Sequence, residues 1–195
     1  MLKRLVDIIF SAIGLILLFP FFCIVALWVK LDTPGPIFFR QVRVGQDGKT
    51  FRIFKFRTMV ADAESTGHQI TVGEDPRITR SGRFLRRYKL DELPQLVNVF
   101  IGDMSLVGPR PEVPRYVEMF EDAYKIVLGV KPGITDFAAI EFSNEEEVLK
   151  KYDSPEEGYI KEVLPRKIEL YKKYLEEKCF RTDIKLIILT LKKLL

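Results

Sequence analysis

Between Asp75 and Gln95 the chain sets Arg77, Arg80, Arg83, Arg86, Arg87 and Lys89 ahead of two adjacent carboxylates, Asp91 and Glu92. No other stretch gathers as much charge of one sign beside a carboxylate pair. Two chemistries fit. The acids belong to a salt-bridged surface helix, or they are a nucleophile or metal ligand for a phosphate that the arginines hold. A helix running from Gly82 behind a Ser81 N-cap would put Arg83, Arg87 and Asp91 at every fourth position, with Arg86 beside the same face. Neighbours so spaced lie ~5–6 Å apart between Cβ atoms, and such a positive field favours ionised Asp91 at neutral pH. Leu93 precedes Pro94, so the dyad falls at a bend or helix end.

Further cations have the types and settings that phosphate recognition uses. In Gly108-Pro109-Arg110-Pro111 the two prolines restrict the backbone on both sides of Arg110 and present its guanidinium rigidly, as bidentate phosphate recognition requires. A structural turn with an exposed arginine fits the same residues. Lys55 and Arg57 stand two apart on an expected strand and so share a face. Lys131 and Thr135 lie in an expected loop, Lys131 to Asp136, as further contacts. The run Gly45 to Thr50 resembles a phosphate loop, but the Walker spacing needs glycine at position 43, where Arg43 stands. His68, the sole histidine, sits in a stretch of little periodicity and carries no assigned role. Cys23 and Cys179 are far apart, which excludes a disulfide framework or a metal knuckle and fits a reducing compartment.

The elements that must position these residues follow from patterning. A chain of 195 residues sets a prior of one domain. Its net charge of +4 is modest, but 12 basic against 5 acidic residues between Arg40 and Lys89 make that half suited to an anionic partner. Ile8 to Val29 is free of charge, with Lys3 and Arg4 before it and Lys30 after it. As one straight helix this run would reach ~33 Å, enough for a bilayer core of ~30 Å. Pro20 near its middle kinks it and leaves halves too short to cross alone. Positive flanks on both sides give no direction by the positive-inside rule. A kinked span and a re-entrant helix with both ends on the cytoplasmic side both remain, the second favoured by the like charge of the flanks; a buried core helix is the third reading. Ile37 to Val44 and Phe51 to Thr58 read as strands joined by a turn at Gln46 to Gly48. Helices are expected over 114–127, Glu145 to Lys151 and Leu164 to Lys178. A final basic helix repeats Ile184, Ile187, Ile188, Leu191 and Leu195 at helical spacing, which suits a membrane interface or ordinary core packing. The expected fold is α/β, mostly helical with a small hairpin, divided into an anchor over 1–30 and a catalytic domain over 31–195.

Together, Asp75 to Arg80, Gly82 to Arg87, Leu90 to Gln95 and Gly102 to Glu112 resemble the monotopic phosphoglycosyl transferases, the bacterial sugar transferases that start glycan assembly on a polyprenol carrier. Lys55 to Met59 and Val130 to Thr135 also match, so the resemblance covers nearly the whole chain. It implies transfer of a phosphosugar from a nucleotide diphosphate sugar, usually UDP-linked, to undecaprenyl phosphate with release of UMP. It implies Mg²⁺, held by Asp91 and Glu92, and a scheme in which Asp91 attacks the sugar-bearing phosphorus and the polyprenol phosphate then displaces it. For Glu92 two roles remain open, metal ligand or positioner of the second substrate. Arg110 belongs to the nucleotide-contacting motif, and a re-entrant anchor sets the site at the cytoplasmic face of the bacterial inner membrane.

Three departures bear on what carries over. The additional spans of the larger hexose-type members have no counterpart here, which implies a minimal catalytic form. Asp136-Phe137 replaces a Gly-Trp pair that many members carry, which puts the sugar preference in doubt. Phe19 stands where small members carry serine before the break proline. The expected partners are a UDP-sugar, undecaprenyl phosphate and membrane lipid, without nucleic acid; a homodimer is allowed. The competing class is a non-enzymatic, membrane-attached basic module holding anionic lipid or nucleic acid. It uses Phe54 and Phe56 as a stacking platform, but strand alternation turns those rings away from Lys55 and Arg57, as a core would.

Overall fold

A computed structural model describes residues 2–63 and 75–194; His68 lies outside them. The helix α1 runs Leu2–Asp32 and continues through Pro20. Among its residues only Asp7, Ser11, Val25 and Val29 are buried. Ile16, Leu17, Phe19 and Ile24 are each at least 65% exposed, which a core helix would not allow. Its inner side follows the rest of the molecule from end to end. Arg4 donates to the carbonyls of Val99 (2.6 Å) and Phe100 (2.8 Å). Asp7 accepts from Ser105 Oγ and the Leu106 amide at 3.1 and 3.0 Å. Farther along, Val25 and Val29 pack with Phe56 and Leu85, and Asp32 accepts from the amide and hydroxyl of Ser81, both at 2.8 Å.

The expected hairpin is present, with an interruption. Strands β1 (Phe38–Phe39) and β2 (Val42–Val44) lead in, and β3 (Thr50–Arg52) and β4 (Lys55–Phe56) return. Phe38 pairs with Phe56 and Val42 with Arg52, so one antiparallel register runs through both pieces. Between them Asn98 completes the ladder from outside, accepting from Phe54 N (2.8 Å) and donating to Arg52 O (3.0 Å). The turn at Gln46–Gly48 uses a left-handed Asp47 and Gly48.

Helix α2 covers Arg80–Arg87. Its N-cap is Thr79, which accepts from the Gly82 amide at 3.0 Å. Ser81, the expected cap, is turned to Asp32 instead. The helix then stops at Arg87, four residues before Asp91, instead of running on to it. Lys89 takes a left-handed conformation (φ 54°), and a 3₁₀ turn, Leu90–Glu92, follows before α3 (Gln95–Ile101). Asp91 therefore does not continue the face of Arg83 and Arg87.

The segments read as loops around Gly108 and Lys131 hold a further sheet: β5 (Ser105–Val107) and β6 (Gly133–Thr135) pair in parallel. Gly133 and Gly108 touch backbone to backbone, so a Cβ on Gly133 would lie 2.1 Å from the Gly108 amide nitrogen. The 114–127 helix is broken at Phe120 into α4 (Pro114–Met119) and α5 (Glu121–Val127). Short helices α6 (Phe137–Glu141), α7 (Glu145–Leu149) and α8 (Pro155–Gly158) precede α9 (Leu164–Glu177). These helices enclose the main core, which includes Tyr124, Leu149, Leu164 and Tyr171. The last helix, α10 (Phe180–Leu194), buries Leu186, whereas Ile184, Ile188 and Leu191 of the expected stripe are exposed.

Candidate active site

The two acids of the dyad are held differently. The turn Leu90–Glu92 packs against β4, and this brings Lys55 to Glu92: Lys55 Nζ lies 2.9 Å from Glu92 Oε1. Arg110 reaches the same oxygen from the loop after β5. One carboxylate oxygen thus joins two cations from separate elements. The three side chains remain 19%, 20% and 28% exposed for Lys55, Glu92 and Arg110, enough for a ligand to reach them. Burial alone would push the Glu92 carboxyl up, but Arg110 and Lys55 hold it well below the usual range. Glu92 is ionised and already paired.

Asp91 is buried, 7% exposed, and no described residue donates a hydrogen bond to it. Burial and the neighbouring Glu92 push its carboxyl up from the ordinary value, against the pull of Lys55, Arg86 and Lys89. The sequence pointed to a field from Arg83 and Arg87 that would hold Asp91 low. The left-handed Lys89 breaks that register, and desolvation outweighs the cations that do face the acid. A desolvated carboxylate without donors is a stronger nucleophile than a hydrogen-bonded one in water.

Arg110 is fixed from behind. Pro109 and Pro111 carry no N–H, so the Arg110 amide is the one backbone donor of this tripeptide. It donates to Asp136 Oδ2 at 2.8 Å, while Asp136 Oδ1 caps α6 by accepting from Ala139 N at 2.6 Å. Pro109 O accepts from Gly133 N at 2.9 Å. Glu112 secures the far side of the loop, accepting from Arg43 (3.1 Å) and Tyr159 (2.5 Å).

The other sequence candidates disperse. Arg57 is 4% exposed, and its guanidinium is turned to the end of α1, donating to Pro34 O (2.6 Å), Thr33 O (2.7 Å) and Val29 O (3.2 Å). Lys55 and Arg57 therefore serve different neighbours. Arg77 pairs with Asp75 at 2.7 Å and donates to Ala63 O. Lys131 donates to Gly102 O at 2.7 Å, closing α3 together with Arg4. Thr135 is buried and bonds Thr190 of α10. Arg80, Arg83 and Arg87 are on the exposed face of α2, whereas Arg86 is half-buried, 3.9 Å from Glu146 and among the charges felt by Asp91. The structure adds Lys89, Asp136, Glu112 and Asp7 to the residues that matter. An N-cap signal marks Asp136 in the sequence; its tie to Arg110 joins residues 26 apart and has no local signature.

Among the described residues no group of three or more His, Cys, Asp or Glu side chains could enclose a metal. The donor set still fits Mg²⁺, which is bound by one or two carboxylates plus substrate phosphates rather than by an all-protein cage. Both Asp91 oxygens and Glu92 Oε2 accept no hydrogen bond from the described residues, and they belong to adjacent residues.

The bacterial sugar transferase family model matches residues 1–195. A UDP-glucose:undecaprenyl-phosphate glucose-1-phosphate transferase of Escherichia coli (strain K12) is 40% identical over 99% of this chain and 40% of its own length. A putative undecaprenyl-phosphate N-acetylgalactosaminyl 1-phosphate transferase of Bacillus subtilis (strain 168) is 47% identical over 62% of this chain and 68% of its own length. An undecaprenyl-phosphate glucose phosphotransferase of Komagataeibacter xylinus is 38% identical over 98% of this chain and 35% of its own length. The chain therefore spans well under half the length of the first and third of these relatives.

Proposed function

The chain belongs to the bacterial sugar transferase family, and from that membership we propose that it moves a sugar phosphate from a UDP-sugar to undecaprenyl phosphate with Asp91 as nucleophile. The observation that carries the reading is the contrast within the dyad. Asp91 is buried without a donor, whereas Glu92 is ion-paired to Lys55 and Arg110. An Asp91 oxygen forms a bond to the sugar-bearing phosphorus as the bond from that phosphorus to the bridging oxygen breaks. The electron pair leaves with UMP. An oxygen of the polyprenol phosphate then attacks the same phosphorus and the Asp91 carboxylate departs, so no proton need be removed by a base. Lys55 and Arg110 flank the reaction as fixed cations for the diphosphate, and Glu92 holds both in place. Mg²⁺, held by Asp91 and Glu92 Oε2 with the diphosphate, would neutralise phosphate charge.

The membrane setting is part of the same proposal. The two ends of α1 meet one body: Arg4 and Asp7 reach α3 and β5, and Asp32 reaches α2. A helix crossing the bilayer would carry one of these ends to the opposite face. The pattern favours a re-entrant anchor whose middle, exposed at Ile16, Leu17, Phe19 and Pro20, enters the lipid, with the site at the cytoplasmic face of the inner membrane. The test is UMP release from a panel of UDP-sugars with undecaprenyl phosphate and Mg²⁺. Turnover that depends on the lipid phosphate, and a sugar–phosphate mass adduct on Asp91 when the acceptor is withheld, are the expected results. An Asp91→Asn variant as active as the parent would overturn the nucleophile.

A further inference from the structure

We propose that the outer face of α2 docks on anionic phospholipid headgroups, with Arg80, Arg83 and Arg87 binding phosphate and the rings of Trp28, Phe84 and Tyr88 lying at the bilayer interface. The inference rests on the membrane reading of α1. The inner face of α2, with Ser81, Gly82 and Leu85, is buried. Its outer face carries Phe84 and Tyr88, 45% and 47% exposed, and their rings are 4.9 Å apart. Trp28 of α1 extends the row, 5.4 Å from Phe84. Beside Trp28 on α1 are Leu27 and Leu31, 61% and 76% exposed, so the ring row is continuous with the apolar surface of the anchor. Tryptophan and tyrosine favour the depth at which such a surface meets the headgroups.

The charges single out the lipid. The exposed Arg115, Lys125, Lys161 and Arg166 each have a carboxylate within 4.0 Å. Among the described residues, Arg80, Arg83 and Arg87 have none; Lys49, Arg52 and Arg181 are exposed and lack one too, but on α2 three such cations share one face with exposed aromatic rings. Arg87 is instead positioned over the Tyr88 ring, 5.7 Å from its centroid. They are also not among the cations that act most strongly on Asp91, which are Lys55, Arg86 and Lys89. Arg80 also acts at longer range on Asp32, but three exposed guanidinium groups without a close carboxylate, beside an interfacial ring row, match an anionic bilayer surface, with each basic residue near it adding about a fivefold preference.

Trp28 is the only tryptophan in the chain and reports on this face directly. The full chain would be reconstituted into phosphatidylcholine vesicles containing either brominated phosphatidylglycerol or brominated phosphatidylcholine at the same fraction. Trp28 is expected to be quenched more strongly by the anionic lipid, and high salt should remove the difference. The variant Arg83→Gln/Arg87→Gln should lose roughly 25-fold in anionic preference, while Arg83→Lys/Arg87→Lys keeps most of it. Equal quenching by both lipids in the parent, with the chain still floating with the vesicles, would overturn the proposal. So would a glutamine variant that keeps its lipid preference but needs more UDP-sugar to reach half-maximal rate, because the arginines would then serve the donor. Failure to float with any vesicle would refute the anchor reading first.

Discussion

Replacing Asp136 with serine separates two tasks that one carboxylate performs. Oδ1 caps α6 through Ala139 N, and Oδ2 holds the amide of Arg110. Serine is as good an N-cap as aspartate, so α6 keeps its start, but its single oxygen cannot also serve Arg110. With prolines on both sides, that loop has no second N–H to offer. Leaving a buried donor unpaired costs about 1–3 kcal/mol; because this bond is only part-buried, the lower part of that range, about 1–2 kcal/mol, applies. If the whole amount is lost from the placement of Arg110 against Glu92 and the proposed diphosphate substrate, the rate falls about 5- to 30-fold. The assay is UMP release in four proteins: the parent, Asp136→Ser, Arg110→Ala and the double variant, with thermal melts of each. When a residue acts through another, its substitution costs little once that partner is gone. Asp136→Ser should therefore change the Arg110→Ala rate by less than about twofold. Equal losses in both backgrounds would refute the reasoning.

Three further outcomes follow from the same contacts. Asp91→Asn should melt higher than the parent at pH 7. The folded protein holds this carboxyl above its ordinary value, so its ionisation costs stability above that range, and the variant's higher melting temperature should fall back to the parent's as the pH drops below the ordinary carboxylate range. A gain that stays constant with pH would sink this account. Gly82→Ala places a Cβ 2.0 Å from Thr58 O; overpacking of this kind costs about 3 kcal/mol, and a melt within about 2 °C of the parent would show that α2 moves aside freely. Arg57→Met strips three carbonyls of their donor at the end of α1 and should speed trypsin cleavage after Lys30. An unchanged cleavage rate would mean that Arg57 does not hold this corner.

What could be read from the residues and what could not divide along physical lines. The dyad, the Pro109–Pro111 frame around Arg110 and the apolar run of α1 are local patterns, and each needed only its own neighbours to be noticed. The hairpin was legible for the same reason, since alternation and a turn signal fix its register. The start of α2 at Thr79 was not, because Thr79 and Ser81 are both competent caps and Asp32, 49 residues away, decides between them. No residue type announces a left-handed lysine, yet Lys89 reassigns Arg83 and Arg87 from the acid to the surface. The β5–β6 pair joins two three-residue strands of distant sequence, too short for periodicity to show. Asp7 reads as one more acid near a charged flank until Ser105 and Leu106 are seen to enclose it.

The clamp on α1 also imposes an order of events during synthesis. The anchor leaves the ribosome ahead of the rest of this chain, and the partners of Arg4 and Asp7 lie 95 to 99 residues downstream. At about 5–20 residues per second, the anchor waits about 5–20 s for them. During that interval Asp7 has no amide or hydroxyl of β5 to accept from. If the proposed re-entrant course is correct, it becomes locked only when residues 95–107 have folded, so a ribosome stalled before that point would expose an anchor still free to choose its side.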